Sequence, residues 1–420
     1  MSEYDVAIVG GGLVGASLAV ALGDSKLRVA LIEVASPPAS EPSWDERCIA
    51  LNDAAFRIFS ALGVWPAMAG DAAPITATHI SERGRFGVAR FSADEAGLEA
   101  LGYNLPLRAI GAALWQRLQA AANVRIICPA RVESVAVEDA GVRLSIAPAT
   151  AQLAKATPSA APDAVATREL SVSSSTIPST LTAKLVVAAD GARSAVREML
   201  GIAAETRDYH QSAIVSAVRL SRPHNGVAYE RFMPGGPLAL IPKGDKACSL
   251  VWTRPQDSVE ALLALDDADY LAQANEAFGN RLGRFTELGR RWAYPLARVM
   301  TEQLTSRRVV FVGNAAQSLH PVAAQGFNLG LRDVAALADL IRAESDPGSA
   351  DVLSAYEARR TRDRDRVSGI TDLMVRVFSN RIPGLSQARH WGLVAVDLAP
   401  GLRESVMRQH LGHLGLSRVS

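Results

Sequence analysis

The chain has 420 residues, of which 49% are hydrophobic, and a formal net charge of +1. This length provides for two or three domains with a large core, and the balanced charge does not favour a nucleic-acid partner. The three cysteines (Cys48, Cys128 and Cys248) form no Cys-x-x-Cys pair, so we expect neither a disulfide framework nor a metal site. No signal segment precedes the first predicted strand and no apolar run reaches the roughly 18 residues that span a bilayer, so we expect a cytoplasmic protein.

The N-terminal part of the chain predicts a βαβ unit. An apolar strand at 4–9 leads into the loop GGGLVG at 10–15, then a helical stretch, and then a second strand at 28–32 that ends at Glu33. Strand, glycines, helix, strand and acid therefore occur in the order that a dinucleotide-binding unit requires. This order makes a glycine-rich turn between ordinary elements the weaker interpretation.

Each glycine of this fingerprint has its own task. Gly10 permits the tight turn out of the strand, Gly12 lets the backbone approach a pyrophosphate, and Gly15 allows the helix to pack closely on the strand. The helix N-terminus adds free N–H donors and the positive end of its dipole. Glu33 is placed to accept hydrogen bonds from ribose hydroxyls, and its charge would repel a 2′-phosphate, which favours FAD or NAD.

The middle of the chain predicts helices and strands with one interruption. Helices are predicted at 53–62 and 110–121, and strands at 75–91, 124–127, 131–137, 142–146 and 184–189. We expect the three strands between 124 and 146 to form an antiparallel meander. The segment 147–182 is rich in Ala, Ser, Thr and Pro and lacks regularly spaced apolar residues. Burial of apolar side chains would therefore not offset the entropy lost on ordering it, and we predict a flexible hairpin insertion.

A second cluster follows the strand at 184–189, which ends in Asp190 and Gly191. A carboxylate at the tip of a buried strand is typical of a ligand site in an α/β protein. Asp190 and the nearby Ser194 are equally well explained as turn or helix-capping residues. Both readings stay open for this cluster.

A third cluster lies far downstream, where the strand at 308–312 runs into Gly313 and Asn314. Small residues and a glycine-rich stretch then lead to a helix predicted at 331–342. Such a stretch again exposes backbone donors at a helix N-terminus, which suits an anionic or electron-rich ring edge.

The three clusters, in this order and at these separations, resemble the class A flavoprotein aromatic monooxygenases. Residues 313–333 most resemble the ubiquinone-biosynthesis hydroxylases, and among them the 2-polyprenyl-6-methoxyphenol hydroxylase branch. The resemblance implies an α/β fold with a Rossmann-like FAD-binding domain of the para-hydroxybenzoate hydroxylase type, a mostly antiparallel substrate-binding sheet and C-terminal helices. It also implies FAD as the cofactor, NAD(P)H as the reductant and O2 as co-substrate.

The resemblance divides the chain into three regions. The FAD-binding domain is expected at 1–74, 105–200 and 294–345, and the substrate-binding domain at 75–104 and 201–293. Residues 346–420 form the C-terminal helical region. Strands at 213–220, 227–232, 238–242 and 247–254 would roof the flavin, with Phe232, Leu240 and Trp252 as candidate wall residues, although each is more simply explained as core.

The same resemblance assigns cofactor contacts to twelve residues. They are Gly10, Gly12, Gly15 and Glu33 at the adenosine end, Arg47 near the ribityl or phosphate region, Asp190 and Gly191 orienting the cofactor, Gly313 and Asn314 on the ribityl chain, and Pro321, Gly326 and Asn328 along the isoalloxazine ring. Asn314 stands where most members of the wider group carry Asp. Its amide oxygen still accepts from a ribityl hydroxyl but contributes no negative charge.

No catalytic base is assigned from the sequence. His320, His210 and Tyr209 are candidates by location, and each is explained as readily by packing or structural hydrogen bonds. Residues 356–420 carry eleven Arg against six carboxylates. This basic region would suit a peripheral contact with anionic lipid, close to a polyprenyl substrate, or helices packed on the FAD domain with solvated arginines.

The function predicted from these residues is NAD(P)H- and O2-dependent hydroxylation of a polyprenylated phenol in ubiquinone biosynthesis. Two alternatives remain open. A flavin-dependent prenyl-chain reductase would share all three clusters without hydroxylating a ring. A non-catalytic subunit would keep FAD for stability alone, within an assembly of other quinone-biosynthesis proteins.

Overall fold

The computed structural model describes residues 3–35, 46–149, 177–319, 325–379 and 399–413. His320, Pro321 and most of the predicted insertion lie outside these ranges. Within the described part, the ten α-helices are α1 (Leu13–Ala21), α2 (Asp53–Ala61), α3 (Ala93–Ala96), α4 (Leu107–Gln119), α5 (Ala195–Met199), α6 (Val259–Ala264), α7 (Asp267–Phe278), α8 (Gln325–Ile341), α9 (Ala350–Ser379) and α10 (Pro400–His410).

A mostly parallel sheet of eight strands forms the first layer, because its central strands are apolar on both faces. All six residues of β1 and all four of β2 are buried, as is typical of strands covered by helices on both sides. The strand order is β18, β19, β11, β1, β2 and β8. In addition, β10 pairs antiparallel with β11, and β9 pairs antiparallel with β10. Its strands are β1 (Tyr4–Val9), β2 (Val29–Ile32), β8 (Val124–Ile127), β9 (Ala130–Val137), β10 (Val142–Pro148), β11 (Thr180–Ala188), β18 (Thr305–Ser306) and β19 (Val309–Phe311).

A second sheet of nine strands is antiparallel except where β13 runs parallel to β5. Its order is β20, β17, β12, β15, β14, β13, β5 and β6, and β16 pairs with β12. The strands are β5 (Ala77–Glu82), β6 (Val88–Ser92), β12 (Ala204–Leu220), β13 (Val227–Phe232), β14 (Leu238–Lys243), β15 (Ala247–Pro255), β16 (Phe285–Leu288), β17 (Trp292–Thr301) and β20 (Gln317–Ser318). We call it the roof sheet.

A small sheet and the last helix complete the described fold. The small sheet has the order β3 (Cys48–Asn52), β7 (Gly102–Pro106) and β4 (Ala73–Ile75). Met407 and Leu411, at the end of α10, pack against buried Phe91 and Leu101. In the part of the chain that the structure describes, no helix is both long and apolar enough to cross a bilayer.

Two local predictions were wrong in their pairing or bounds. The expected meander fails at β8, which pairs parallel with β2, whereas β9 pairs antiparallel with β10 and β10 pairs antiparallel with β11. The insertion predicted at 147–182 is shorter at both ends, since β10 continues to Pro148 and β11 begins at Thr180. Residues 150–176 lie outside the described ranges. Ser145 pairs with Thr180, so the segment does connect two strands of a hairpin.

A buried ion network joins α8 to α9. The Arg360 guanidinium donates to Asp333 at 2.7 Å and to Asp363 at 2.6 Å, and Arg332 donates to Asp363 at 2.7 Å. All four side chains are 3% exposed or less. Charges so far from water remain ionised only when they are paired and hydrogen-bonded, so each partner depends on the others.

Replacing Arg360 with Leu should lower the free energy of unfolding by about 3–5 kcal/mol, because two buried carboxylates each lose their hydrogen bond to the Arg360 guanidinium. Urea unfolding of the FAD-loaded protein measures this. The matched control is Arg359→Leu, one residue away, where the arginine is 45% exposed and pairs with Asp339 at the surface. That change should cost less than about 1 kcal/mol. Equal losses in the two variants would contradict the assigned role of the network.

Candidate functional site

A cleft of about 1160 Å³ lies between the parallel sheet and the roof sheet. It exceeds the roughly 300–1000 Å³ of a site for one drug-sized ligand, so a dinucleotide and a second molecule fit together. All three sequence clusters line it. The predicted residues along its wall are Gly10, Gly12, Glu33, Asp190, Gly191, Asn314, Gly326 and Asn328.

The glycine fingerprint forms the floor of the cleft. At two of its positions a side chain would not fit. Gly10 has φ +101°, and a Cβ there would lie 2.5 Å from the Ala189 carbonyl oxygen. A Cβ on Gly15 would lie 1.8 Å from the Gly10 carbonyl oxygen. Gly12 is the N-cap of α1, and this helix start has no capping hydrogen bond from a side chain. The N–H groups at this helix start therefore remain for a ligand.

Glu33 holds the end of β2 at the rim of the cleft. Its carboxylate accepts from the backbone N–H of Gly11 and, at 2.9 Å, from that of Ala35. Burial raises the pKa of this carboxyl, and the two N–H donors partly oppose that shift. A carboxylate already fixed by backbone donors is a rigid acceptor for ribose hydroxyls, which fits the predicted role.

Asp190 combines the two readings that the sequence left open. One carboxylate oxygen accepts from the Val196 backbone N–H at 3.1 Å and so stabilises the start of α5. Among the described residues the other oxygen, Oδ1, is buried without a hydrogen-bond partner. Burial raises the pKa of the carboxyl. An orphaned acceptor at the cleft wall fits a ligand that brings hydroxyl donors. Ser194 is a helix cap, accepting from the Arg197 N–H at 3.1 Å.

The third cluster is fixed from behind by α8. The Asp333 carboxylate accepts from the Gly313 N–H at 3.0 Å and from the Gln317 side-chain amide at 2.6 Å. Gly313 has φ +56°, and a Cβ there would touch the methyl groups of Val14 at 3.0 Å. The adjacent Asn314 is exposed on the cleft wall. A loop held this way places Asn314 on the cleft wall, and among the described residues its amide makes no hydrogen bond.

The predicted ring-side residues have further contacts that the sequence did not reveal. Because α8 begins at Gln325, earlier than predicted, Gly326 and Asn328 lie in its first turn. The Asn328 amide accepts from Asn52 N–H at 3.0 Å and donates to the Ala50 carbonyl at 3.0 Å. It thus ties α8 to β3 at the cleft wall.

The remaining candidates lie farther from the cleft wall. Arg47 donates to the hydroxyl of Tyr294, and it is Tyr294 that lines the cleft. His210 lies at a bulge of β12 with its side chain 85% exposed beside Asp208. The Tyr209 hydroxyl contacts Asp372 at 3.2 Å, and burial raises the pKa of Tyr209 to about 12. Neither His210 nor Tyr209 is among the cleft-lining residues.

The roof sheet faces the cleft with residues other than the three proposed as walls. Leu240 and Trp252 point away from the cleft and pack against Tyr270 and Phe278 of α7, so they are core residues. Phe232 is buried and does not line the cleft. Strands alternate their faces, so the neighbours of the core residues form the wall. The cleft-facing residues include Ile80, Ala228, Glu230, Ala239, Ile241 and Val251.

Glu230 is the residue that the sequence reasoning missed. It stands on β13 in this apolar wall, and burial raises the pKa of its carboxyl to about 7. Alternation along β13 gave a usable signal, because it places this carboxylate on the cleft side of a strand whose neighbours are apolar. Only the pairing of β13 with β5 and β14 shows that the cleft lies there.

The described residues fit FAD. The helix start at Gly12 offers donors to a pyrophosphate, Glu33 offers an acceptor to ribose, and Asp190 has an unused buried oxygen. Asn314 faces the same cleft from the opposite cluster. Donors and acceptors suited to a dinucleotide therefore line one cleft.

Comparison with known proteins supports the same assignment. The model of the family described as FAD binding domain matches residues 3–368. The chain is 35% identical to ubiquinone hydroxylase UbiL of Rhodospirillum rubrum over 98% of this chain and 90% of that relative. It is 32% identical to 3-demethoxyubiquinol 3-hydroxylase of Escherichia coli over 97% of this chain and 98% of that relative.

Solved structures share the fold. The p-nitrophenol 4-monooxygenase PnpA from Pseudomonas putida matches with a TM-score of 0.75 and 18% identity, covering 99% of both chains. PqsL from Pseudomonas aeruginosa, a probable FAD-dependent monooxygenase, matches with a TM-score of 0.71 and 21% identity, covering 93% of this chain and 99% of that one. The expected α/β fold with a Rossmann-like FAD-binding domain and a mostly antiparallel sheet is confirmed.

Replacing Gly15 with Ala should remove most of the bound flavin, because its Cβ would overlap the Gly10 carbonyl and force α1 away from β1. The ratio of flavin absorbance to protein in the purified variant measures this. Gly111→Ala is the matched control, since Gly111 lies in α4 with nothing within 4 Å of its added Cβ. Its flavin content should equal that of the wild type. Full flavin occupancy in Gly15→Ala would show that the close approach is not needed.

Proposed function

Because this chain is an FAD-dependent monooxygenase of the ubiquinone-biosynthesis hydroxylase family, we propose that its substrate is a polyprenylated phenol. NAD(P)H reduces the cofactor, and one atom of O2 enters the aromatic ring. The observation that carries the proposal is the single cleft in which the FAD-binding clusters meet an apolar roof. An apolar roof suits a prenylated ring and keeps water from the reacting atoms.

The chemistry divides between the cofactor and the chain. When bound, FAD takes a hydride from NAD(P)H and provides activated oxygen for the ring. The chain would hold the cofactor through the start of α1 and the Glu33 carboxylate. The roof residues position the phenol and exclude water from it. Residues 320–324, before α8, lie outside the described ranges, and Asn314 is a described polar residue of that cluster on the cleft wall.

The motif at 313–333 and the name of one relative bear on which prenylated phenol is the substrate. The motif at 313–333 favours 2-polyprenyl-6-methoxyphenol, whereas the Escherichia coli relative is named for a demethoxyubiquinol. Both rings are electron-rich and carry the same kind of apolar chain. We propose 2-polyprenyl-6-methoxyphenol as the substrate and the demethoxyubiquinol as the competing one in the assay.

The basic C-terminal region is better supported as a packing element than as a lipid contact. Arg360 belongs to the buried network, Arg359 pairs with Asp339, and Arg403 pairs with Glu95 at 2.7 Å. Leu373 and Leu402 are 58% and 45% exposed, and they remain for a peripheral membrane contact. That contact, and any association with other quinone-biosynthesis proteins, stay predictions.

The purified holoenzyme should consume NAD(P)H and O2 faster when a short-chain prenylated methoxyphenol is added. With ¹⁸O2, mass spectrometry should find one labelled oxygen in the ring of the product. Omission of the phenol is the control, and it should leave only slow oxidation of NAD(P)H.

The two alternatives give different outcomes in the same assay. A prenyl-chain reductase would yield a product with two added hydrogens and no labelled oxygen. A non-catalytic subunit would keep its flavin colour in the presence of NAD(P)H and either phenol. Labelling of the demethoxyubiquinol alone would replace the proposed substrate and leave the reaction class intact.

A further inference from the structure

The sheet register places a single carboxylate in the apolar roof of the cleft. Glu230 on β13 pairs with Ile80 on β5 and with Ala239 on β14, and Ala239 pairs with Val251 on β15. Directly paired residues point to the same face of a sheet. All four line the cleft. Glu230 is therefore the charged member of a row that is otherwise aliphatic.

No described residue binds the Glu230 carboxylate. Among the described residues it makes no hydrogen bond and no ion pair, although the side chain is only partly exposed and its open side faces the cleft. A shielded carboxylate without a partner is costly and is rarely kept without a function. Unlike Asp190 and Asp333, which bind backbone N–H groups, Glu230 does not stabilise the fold through its side chain.

Burial is the sole cause of the raised pKa of Glu230, which lies at about 7. No charged neighbour contributes to that shift. The titratable side chains that share the cleft from other elements are Glu33, Cys48, Arg131, Glu133, Asp190, Tyr294 and His410. Burial lowers the pKa of His410, which favours its uncharged form. A carboxylate that ionises near neutral pH is well matched to proton transfer with a phenol.

We propose that the Glu230 carboxylate binds the ring hydroxyl of the substrate and accepts its proton during hydroxylation, an inference that rests on the proposed function. The substrate O–H bond breaks, its proton passes to Glu230, and the electron pair stays on the ring oxygen. The ring carbon, now richer in electrons, forms the new C–O bond with one atom of O2 as the O–O bond breaks; the other oxygen atom leaves as water, and the two electrons come from NAD(P)H through the bound cofactor. As the ring regains aromaticity, its C–H proton leaves to water and Glu230 returns the first proton to the ring oxygen.

The pH profile of hydroxylation tests the proton transfer. In the wild type, kcat/KM should rise with pH through about 7 and then level off, since the ionised carboxylate is the active form. Glu230→Gln should lose this rising limb and fall about 100-fold at the plateau. The control Glu287→Gln removes an exposed carboxylate that pairs with Arg219 on β12 of the same sheet, and it should keep the wild-type profile. A rising limb that persists in Glu230→Gln overturns the proposal.

A series of ring-fluorinated phenols separates proton transfer from mere positioning. Fluorine makes the hydroxyl more acidic, so the substrate needs less help from a base. The ratio of wild-type to Glu230→Gln rates should shrink as the phenol becomes more acidic. A ratio that stays constant along the series would rule out proton acceptance by Glu230.

Binding without turnover keeps this inference distinguishable from the proposed function. Titrating the oxidised holoenzyme with a prenylated phenol, followed by the change in flavin absorbance, gives Kd directly. Glu230→Leu should raise Kd about tenfold or more, because a hydrogen bond to a charged acceptor is lost, and Glu230→Gln should raise it less. Equal Kd values in all three proteins overturn the binding role. A Glu230-dependent Kd without any ring hydroxylation would instead sink the proposed function alone.

Discussion

The buried carboxylate of Asp333 is the contact on which the cleft depends. It accepts from Gly313 N–H, from the Gln317 amide and from the Arg360 guanidinium, all within 3.0 Å. These three partners belong to a loop, a short strand and a different helix. A core made only of apolar contacts would let the loop slide, because dispersion has no direction. The network therefore fixes where Asn314 meets the glycine fingerprint, at the cost of burying four charges.

Local chemistry explains why so much of the cofactor side was predictable. The roles of Gly10 and Gly15 follow from covalent geometry, and the structure reproduces them as a positive φ and a forbidden Cβ position. The apolar runs of β1 and β2 likewise required burial on both faces. The three clusters converge because carboxyl ends of parallel strands share one edge of a sheet.

Contacts between distant segments were not predictable in the same way. No residue pattern near β8 indicates that this strand pairs with β2 rather than with β9, the next strand along the chain. Asn328 reads as a cofactor residue, whereas its amide joins α8 to β3. Glu230 drew no attention because an isolated acid in a strand is ordinary until the sheet is assembled. Contacts between segments that are distant in the sequence decide all three.

The two faces of the roof sheet have different roles, one in folding and the other in binding a ligand. Side chains such as Leu240 and Trp252 pack on the α7 face, whereas Ala239 and Val251, one position along each strand, line the cleft. A change in the second group alters the shape offered to a ligand with little effect on folding, and a change in the first does the reverse. New ring specificities can therefore arise by single exchanges on one side of this sheet, without a compensating exchange on the other.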